Sequence, residues 1–367
     1  MKIRKYITEG VKLAAVPLAM KTGRTFFPPS VAALHLTRRC NSRCAMCSFW
    51  QKDYDAGEEL STEQVFSLMK DIKALGVSFL SISGEGEIFT RKDACEIFQK
   101  ARDLGFDYTI NSNGLYLPDE FVARVHDLRP HHMIFGLDTV SDEVYEKVRG
   151  VPRGLSKVSS SISRLLDAGY RNVSVGSVIL PQNLDELLPL ADMALSRGLS
   201  AIRFTAFSPV GFGMTWSQEE LAAFADSAFL SRLAKVISAL LAHKQEHGII
   251  SNSVSYLRRV PEYYASGFSY KPAPCVIGVY NILVLPNGDV PACGFRGPSA
   301  VVGNVKRQSI ADIWKSAAYQ EQRNRIARWQ CPTCWLSCYA ENNLRFNPST
   351  MAAANLAALR RALAMGV

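Results

Sequence analysis

Between Val31 and Phe207, short apolar, β-rich runs alternate six times with longer helical patterns, and nothing else in the chain restricts its fold so strongly. The runs fall at residues 31–36, 77–83, 106–111, 132–137, 172–179 and 201–207. The helical patterns between them fall at 62–75, 92–104, 118–127, 141–148, 156–168 and 184–196, and several end at a glycine able to close a helix: Gly76, Gly105, Gly169 and Gly198. Repeated β-then-α units demand parallel strands joined by right-handed crossovers. Six units fall short of the eight that close a barrel. The expected fold is therefore α/β, an open (β/α)6 partial TIM barrel, with its chemistry at the C-terminal ends of the strands.

Directly after the first of these strands stands Cys40-Asn41-Ser42-Arg43-Cys44-Ala45-Met46-Cys47, a C-x3-C-x2-C run that supplies three thiolates from one loop. A [4Fe–4S] cluster normally takes four thiolates, so three leave one iron open to a ligand that is not protein. A zinc knuckle would call for a fourth Cys or His nearby, and three buried structural thiols would need no such spacing. A second group, Cys275, Cys293, Cys331, Cys334 and Cys338, lies towards the C-terminus, so that eight of the nine cysteines fall in two groups. In a chain of 367 residues that pattern points to metal binding in a reducing compartment, with a cytoplasmic location expected. The ninth, Cys95, falls in a helical pattern and reads as a buried apolar thiol.

The three-cysteine loop resembles that of the radical S-adenosylmethionine (radical SAM) superfamily, in which the methionine end of S-adenosylmethionine (SAM) chelates the open iron. There, one electron splits SAM to a 5′-deoxyadenosyl radical. The turn Ser83-Gly84-Glu85-Gly86-Glu87-Ile88 resembles the family's G-G-E-P motif, with Glu85 replacing its first glycine and Ile88 its proline. The resemblance implies that Gly84, Gly86 and Glu87 meet the SAM amino group. Asn111-Ser112-Asn113-Gly114 and Gly136-Leu137-Asp138-Thr139 stand where similar proteins carry T-N-G and S-L-D-G. This implies that Asn113 and Asp138 face the SAM ribose, its carboxylate or the substrate, and Ser177 is a further candidate. A carboxylate at a strand's C-terminal end, as at Asp138, is poorly explained by packing. With Arg203, a candidate for binding an anionic substrate, Asp138 makes up the expected catalytic pair. His35 on the first strand reads as a satisfied core histidine.

The stretch from Cys275 to Cys338 resembles the SPASM and shorter twitch extensions of the same enzymes, which hold auxiliary [4Fe–4S] clusters. Five cysteines suffice for one cluster and not for two. The single-cluster arrangement implies Cys275, Cys293, Cys331 and Cys334 as ligands, and the C-x2-C-x3-C run permits Cys338 to replace one of the pair. A tetrahedral zinc site is the alternative for these thiolates.

The expected organisation is a basic amphipathic segment over residues 1–30, the barrel over 31–210, a helical bridge over 211–270, a small cysteine-rich α+β domain over 271–345 and a closing helix over 346–367. A hairpin turning at Asn287-Gly288 is expected in the cysteine-rich domain. The formal charge of +9 is too diffuse to imply nucleic acid. No segment reaches the roughly 18 uninterrupted apolar residues of a membrane span. The basic N-terminal segment either packs on the enzyme, as expected, or touches a membrane surface peripherally.

The implied activity is that of an oxidoreductase-like radical SAM enzyme. It would abstract hydrogen from its substrate and oxidise or rearrange it with the auxiliary cluster, drawing electrons from a flavodoxin or ferredoxin. Roughly 30 residues before the first strand are few for a leader-recognition domain, which favours a small molecule over a ribosomal peptide. The alternatives are a peptide-modifying maturase and, in a different class, an iron–sulfur electron carrier or sensor without turnover.

Overall fold

Apolar residues at alternate positions build the strands. The computed structural model describes residues 14–47, 49–51, 55–210, 216–270, 275–294, 298–331 and 334–347. In β1 (Val31–His35), β2 (Phe79–Ser83), β3 (Asp107–Ser112) and β4 (His132–Gly136), residues such as Leu34, Ile82, Ile110 and Phe135 are fully buried. The same alternation runs through β5 (Val173–Ile179) and β6 (Ala201–Ala206), where Val175 and Phe204 are buried. Successive side chains point to opposite faces, so the intervening residues, among them Ala33, Ser81, Thr109, Ile134 and Thr205, line the inside of the barrel.

The buried face packs under α2 (Thr62–Leu75), α3 (Ala94–Asp103), α4 (Asp119–Leu128), the pair α5 (Asp142–Arg149) and α6 (Gly154–Asp167), and α7 (Leu187–Ser196). Their ends carry the expected signals. Ser61 and Gln64 form a capping box at the start of α2, and Gly76, at φ 99°, closes it in the left-handed region. Phe98 on α3 meets Phe89 and Phe121 edge-on at 5.9 and 5.6 Å between ring centres. Burying one such ring contributes roughly 1.5–3 kcal/mol.

The sheet has seven strands, all parallel, in the order β6-β5-β4-β3-β2-β1-β7. Its seventh strand, β7 (Asn281–Val284), comes from the cysteine-rich part of the chain and pairs with β1, Val31 opposite Asn281. The turn at Asn287-Gly288 is present, with Leu285 N donating to Asp289 O at 2.8 Å and Gly288 at φ 88°. Its two arms nevertheless separate. β7 joins the barrel, while β8 (Asp289–Pro291) pairs antiparallel with β9 (Val301–Asn304), so the expected hairpin is a strand exchange between two sheets.

At the opposite edge, β6 is covered by the helical bridge, α8 (Gln218–Ala225), α9 (Ser227–His247) and α10 (Val254–Ala265). The Asn252 side chain accepts from Phe204 N at 2.7 Å and donates to Phe204 O at 2.9 Å, as a neighbouring strand would. Tyr256 and Tyr264 then accept from Ala206 N and Phe207 N at 2.8 and 2.7 Å. The amides of Phe204, Ala206 and Phe207 are thus satisfied by side chains, and Ile202 pairs with the backbone around Ile250, which blocks further strand pairing.

The helix α1, described over residues 14–22, buries Val16, Ala19 and Met20 against Val276, Val279 and Phe346. The described part of the N-terminal segment therefore packs on the cysteine-rich domain. That domain is completed by α11 (Ile310–Lys315), α12 (Ala317–Ala327) and α13 (Ser337–Arg345). The closing helix expected over 346–367 falls almost wholly outside the described residues, as do residues 1–13. Among the described residues no helix is long and apolar enough to cross a membrane.

Candidate functional site

The three-cysteine loop leaves β1 at the C-terminal edge of the sheet and is held from three sides. From β2, Gly86 N donates to Thr37 O at 3.0 Å and Glu87 N to Arg39 O at 2.8 Å. Gly86 has no substitute here, because a Cβ would collide with the backbone of Arg38 and Arg39, lying 2.7 Å from the Arg38 carbonyl oxygen. From β3, Asn113 Nδ2 donates to Asn41 Oδ1 at 2.7 Å and lies 3.8 Å from Cys40 Sγ. From α5, the carbonyls of Val148 and Arg149 accept from Ala45 N at 2.9 Å and Arg43 N at 3.2 Å, and Ser42 Oγ also donates to Arg149 O at 2.9 Å.

Glu87 holds two of these sides together. Its carboxylate accepts from Phe89 N, Ser112 Oγ and Asn113 N at 3.2, 2.9 and 2.6 Å, and the residue is only 2% exposed. Burial pushes its pKa up to about 7, against the pull of those three hydrogen bonds. The expected role at the SAM ammonium therefore does not fit the side chain, whose acceptor positions are largely taken by the protein. Backbone groups at Gly84 and Gly86 remain the parts of this turn suited to a ligand. Glu85 is buried as well and pairs with Arg38.

Asp138 corrects a second expectation. Its side chain is wholly buried, one oxygen accepting from Arg149 Nε at 2.5 Å and the other from Val178 N at 2.7 Å. A carboxylate so enclosed positions Arg149 and does not reach a substrate. Arg149 is the residue sequence reasoning missed. It ends α5, where a basic side chain ordinarily complements the helix dipole in water, so nothing in the sequence marks it as turning inward. Burial opposes its charge, but Asp138 and Cys44 outweigh that and hold its pKa above the usual arginine value.

Ser177 is likewise displaced. It is 1% exposed and shares its strand face with Val175 and Ile179, on the helix side of the sheet and away from the barrel interior. Arg203 lies on the interior face of β6, exposed, its Nε 3.4 Å from Ser251 Oγ. His35 also faces the interior, and burial lowers its pKa to about 4.

The second cysteine group converges from four segments. Burial raises the Cys334 thiol well above its ordinary pKa, and Cys275, Cys293, Cys338 and Cys331 add to the effect. Burial pushes Cys275 up to about 12, with Cys293 and Cys331 adding to it. Cys338 lies in the first turn of α13, where burial pushes its thiol up to about 11 and the charge of Arg203 pulls against that rise. Beside it, Ser337 Oγ is 2.6 Å from Thr205 Oγ1, so α13 docks on the barrel's last consecutive strand.

Both groups suit iron–sulfur clusters by the chemistry of their donors, soft thiolates without histidine or carboxylate among them. Among the described residues no three His, Cys, Asp or Glu side chains stand close enough to hold a single ion. A cube does not require it, since each thiolate binds a different iron.

The chain matches the radical SAM superfamily over residues 34–194 and an iron–sulfur cluster-binding domain, SPASM, over residues 275–339. It is 26% identical to a PqqA peptide cyclase of Granulibacter bethesdensis over 310 residues, 82% of this chain and 77% of that protein. It is 22% identical to an AdoMet-dependent heme synthase of Methanosarcina barkeri over 306 residues, 79% of this chain and 83% of the relative. In fold it is similar to Streptococcus suis SuiB bound to precursor peptide SuiA, with a TM-score of 0.65 and 16% identity over 88% of this chain and 72% of SuiB. The two matched domains imply SAM and two [4Fe–4S] clusters. The three-cysteine loop, its braces and these matches together place the chain in the radical SAM superfamily, with a SPASM domain on its C-terminal side.

Proposed function

We propose that this radical SAM enzyme modifies a peptide. The observation that carries the reading is the match over 82% of the chain to a relative named for its peptide, the PqqA peptide cyclase. The expectation of a small molecule rested on the length of the segment before β1. That length limits what the segment can fold into, not what enters the barrel.

In this reading Cys40, Cys44 and Cys47 hold the first cluster, and Cys275, Cys293, Cys331 and Cys334 the auxiliary one. When bound, the first cluster and SAM supply a radical that takes hydrogen from the substrate. The protein orients the reactants and excludes water. The backbone at Gly84 and Gly86 receives the cofactor's ammonium group, Glu87 fixes that turn to Asn113, and Asn113 fixes the Cys40 arm. Arg203 and the small polar side chains of the interior orient the peptide beside α13, which brings the auxiliary site against β6. A flavodoxin or ferredoxin delivers the electron. Oxidation and rearrangement are both within reach of such a pair of clusters.

Peptides made from short reading frames beside the gene, incubated anaerobically with the reconstituted protein, SAM and dithionite, test the proposal. One of them should change in mass and raise the yield of 5′-deoxyadenosine. If no peptide changes and a porphyrin precursor of heme is consumed, the peptide reading fails. The second reading, supported by the heme synthase relative, then takes its place.

A further inference from the structure

Arg149 sets a buried cation beside the first cysteine loop. Its Nη1 lies 3.8 Å from Cys44 Sγ, within reach of an N–H···S hydrogen bond. Its Nε donates to Asp138 at 2.5 Å, with 12% of the arginine side chain and none of the aspartate open to solvent. The guanidinium fits there because residue 136 is glycine: a Cβ at Gly136 would stand 2.9 Å from Nη2 and 3.0 Å from Nη1. Two residues earlier on the same helix, Lys147 pairs with Glu143 in solvent, 63% and 77% exposed, as surface charges ordinarily do. The side chain of Arg149 is not what ties the loop to α5. The carbonyls of Val148 and Arg149 do that through Ala45 N, Arg43 N and Ser42 Oγ, and would do so with another side chain at 149.

We propose that Arg149, fixed by Asp138, is a positioning residue that raises the reduction potential of the cluster held by Cys40, Cys44 and Cys47. This rests on the reading that those cysteines hold a [4Fe–4S] cluster. In the step concerned, one electron passes from an external reductant to the cluster, and no bond in the protein forms or breaks. The cluster gains one negative charge, which a fixed cation in a poorly screened site stabilises and an N–H donor to a ligand sulfur stabilises further. Asp138 opposes Arg149 electrically while orienting it. Removing each partner should therefore move the potential in opposite directions, which a merely structural role would not do.

The test is a dithionite titration, followed by electron paramagnetic resonance, of the full chain reconstituted anaerobically with both clusters and without SAM. Arg149→Met should shift the equilibrium of the first cluster against reduction by about tenfold or more, 59 mV for a one-electron couple. Asp138→Asn should shift it in favour of reduction, and Arg149→Lys should stay nearer the wild type than Arg149→Met. The auxiliary cluster should titrate unchanged in all three. Unchanged potentials with iron retained, or shifts of both Arg149→Met and Asp138→Asn in the same direction, overturn the proposal. Should Arg149→Met lose the first cluster's iron, Asp138→Asn decides alone: a raised potential supports the role, and an unchanged or lowered one removes it. An iron content left unchanged when Cys40, Cys44 and Cys47 are together replaced by Ala overturns the underlying reading of the loop and the proposal with it.

Discussion

At Gly86 one missing side chain lets two strand ends meet. The turn after β2 approaches the backbone of Arg38 and Arg39 so closely that a methyl group must push the cysteine arm aside. Overpacking of this kind costs about 1–3 kcal/mol. Gly86→Ala is therefore expected to lower the free energy of unfolding by that amount and to bind less iron at the first site, with the auxiliary site filled; iron content and urea unfolding check both. Gly176→Ala, whose Cβ would meet nothing nearer than Ile134 Cγ2 at 3.6 Å, should show neither effect. His35 gives a prediction in pH. Its folded pKa of about 4 lies below the 6.5 of the unfolded residue, so the unfolded chain binds more protons between those values. Stability is complete above about pH 6.5 and falls as the pH drops towards 4, by up to about 3 kcal/mol. Urea midpoints measured from about pH 7 to about pH 5 should fall less steeply in His35→Gln than in the wild type. Parallel slopes would remove His35 as the cause.

The elements divide by how local their causes are. β1 to β6 and the helices between them were legible because each is set by its own alternation, caps and glycines. β7 was not. Asn281–Val284 stands next to a tight turn, so the sequence points to pairing across that turn, while the strand's partner is the buried edge of β1, far away along the chain. In the candidate site the cysteines were legible from spacing, whereas the roles of Glu87, Asp138 and Ser177 depended on where buried side chains turn, which strand parity and the contacts of neighbouring elements decide. The position of Arg149 inside the fold depended on Gly136 one strand away. For the auxiliary cluster, Cys334 feels Cys275, Cys293, Cys338 and Cys331, and Cys338 differs from Cys334 and Cys275 in that the charge of Arg203 pulls against the rise that burial causes. Cys338→Ala is accordingly expected to keep full iron and near-normal turnover. Cys334→Ala should lose about half the iron, four of the eight in two [4Fe–4S] clusters, and product formation, with SAM cleavage partly retained. Equal iron loss in the two variants would contradict this ligand assignment.

Across the whole molecule, one parallel sheet carries both cysteine groups. β1 leads into the first, and β7, hydrogen-bonded to β1, leads from Cys275 towards Cys293 in the second. At the far edge α13 docks on β6 through Thr205 and Ser337. The central claim is that the loop after β1 holds the cluster that cleaves SAM, independently of the auxiliary one. The most direct measurement compares the wild type with Cys40, Cys44 and Cys47 all changed to Ala, reconstituted anaerobically and given SAM and dithionite, by iron content and by 5′-deoxyadenosine formed. The wild type should carry about eight irons and form 5′-deoxyadenosine, and the triple variant should keep about four and form none. A triple variant that still produces 5′-deoxyadenosine would contradict the account.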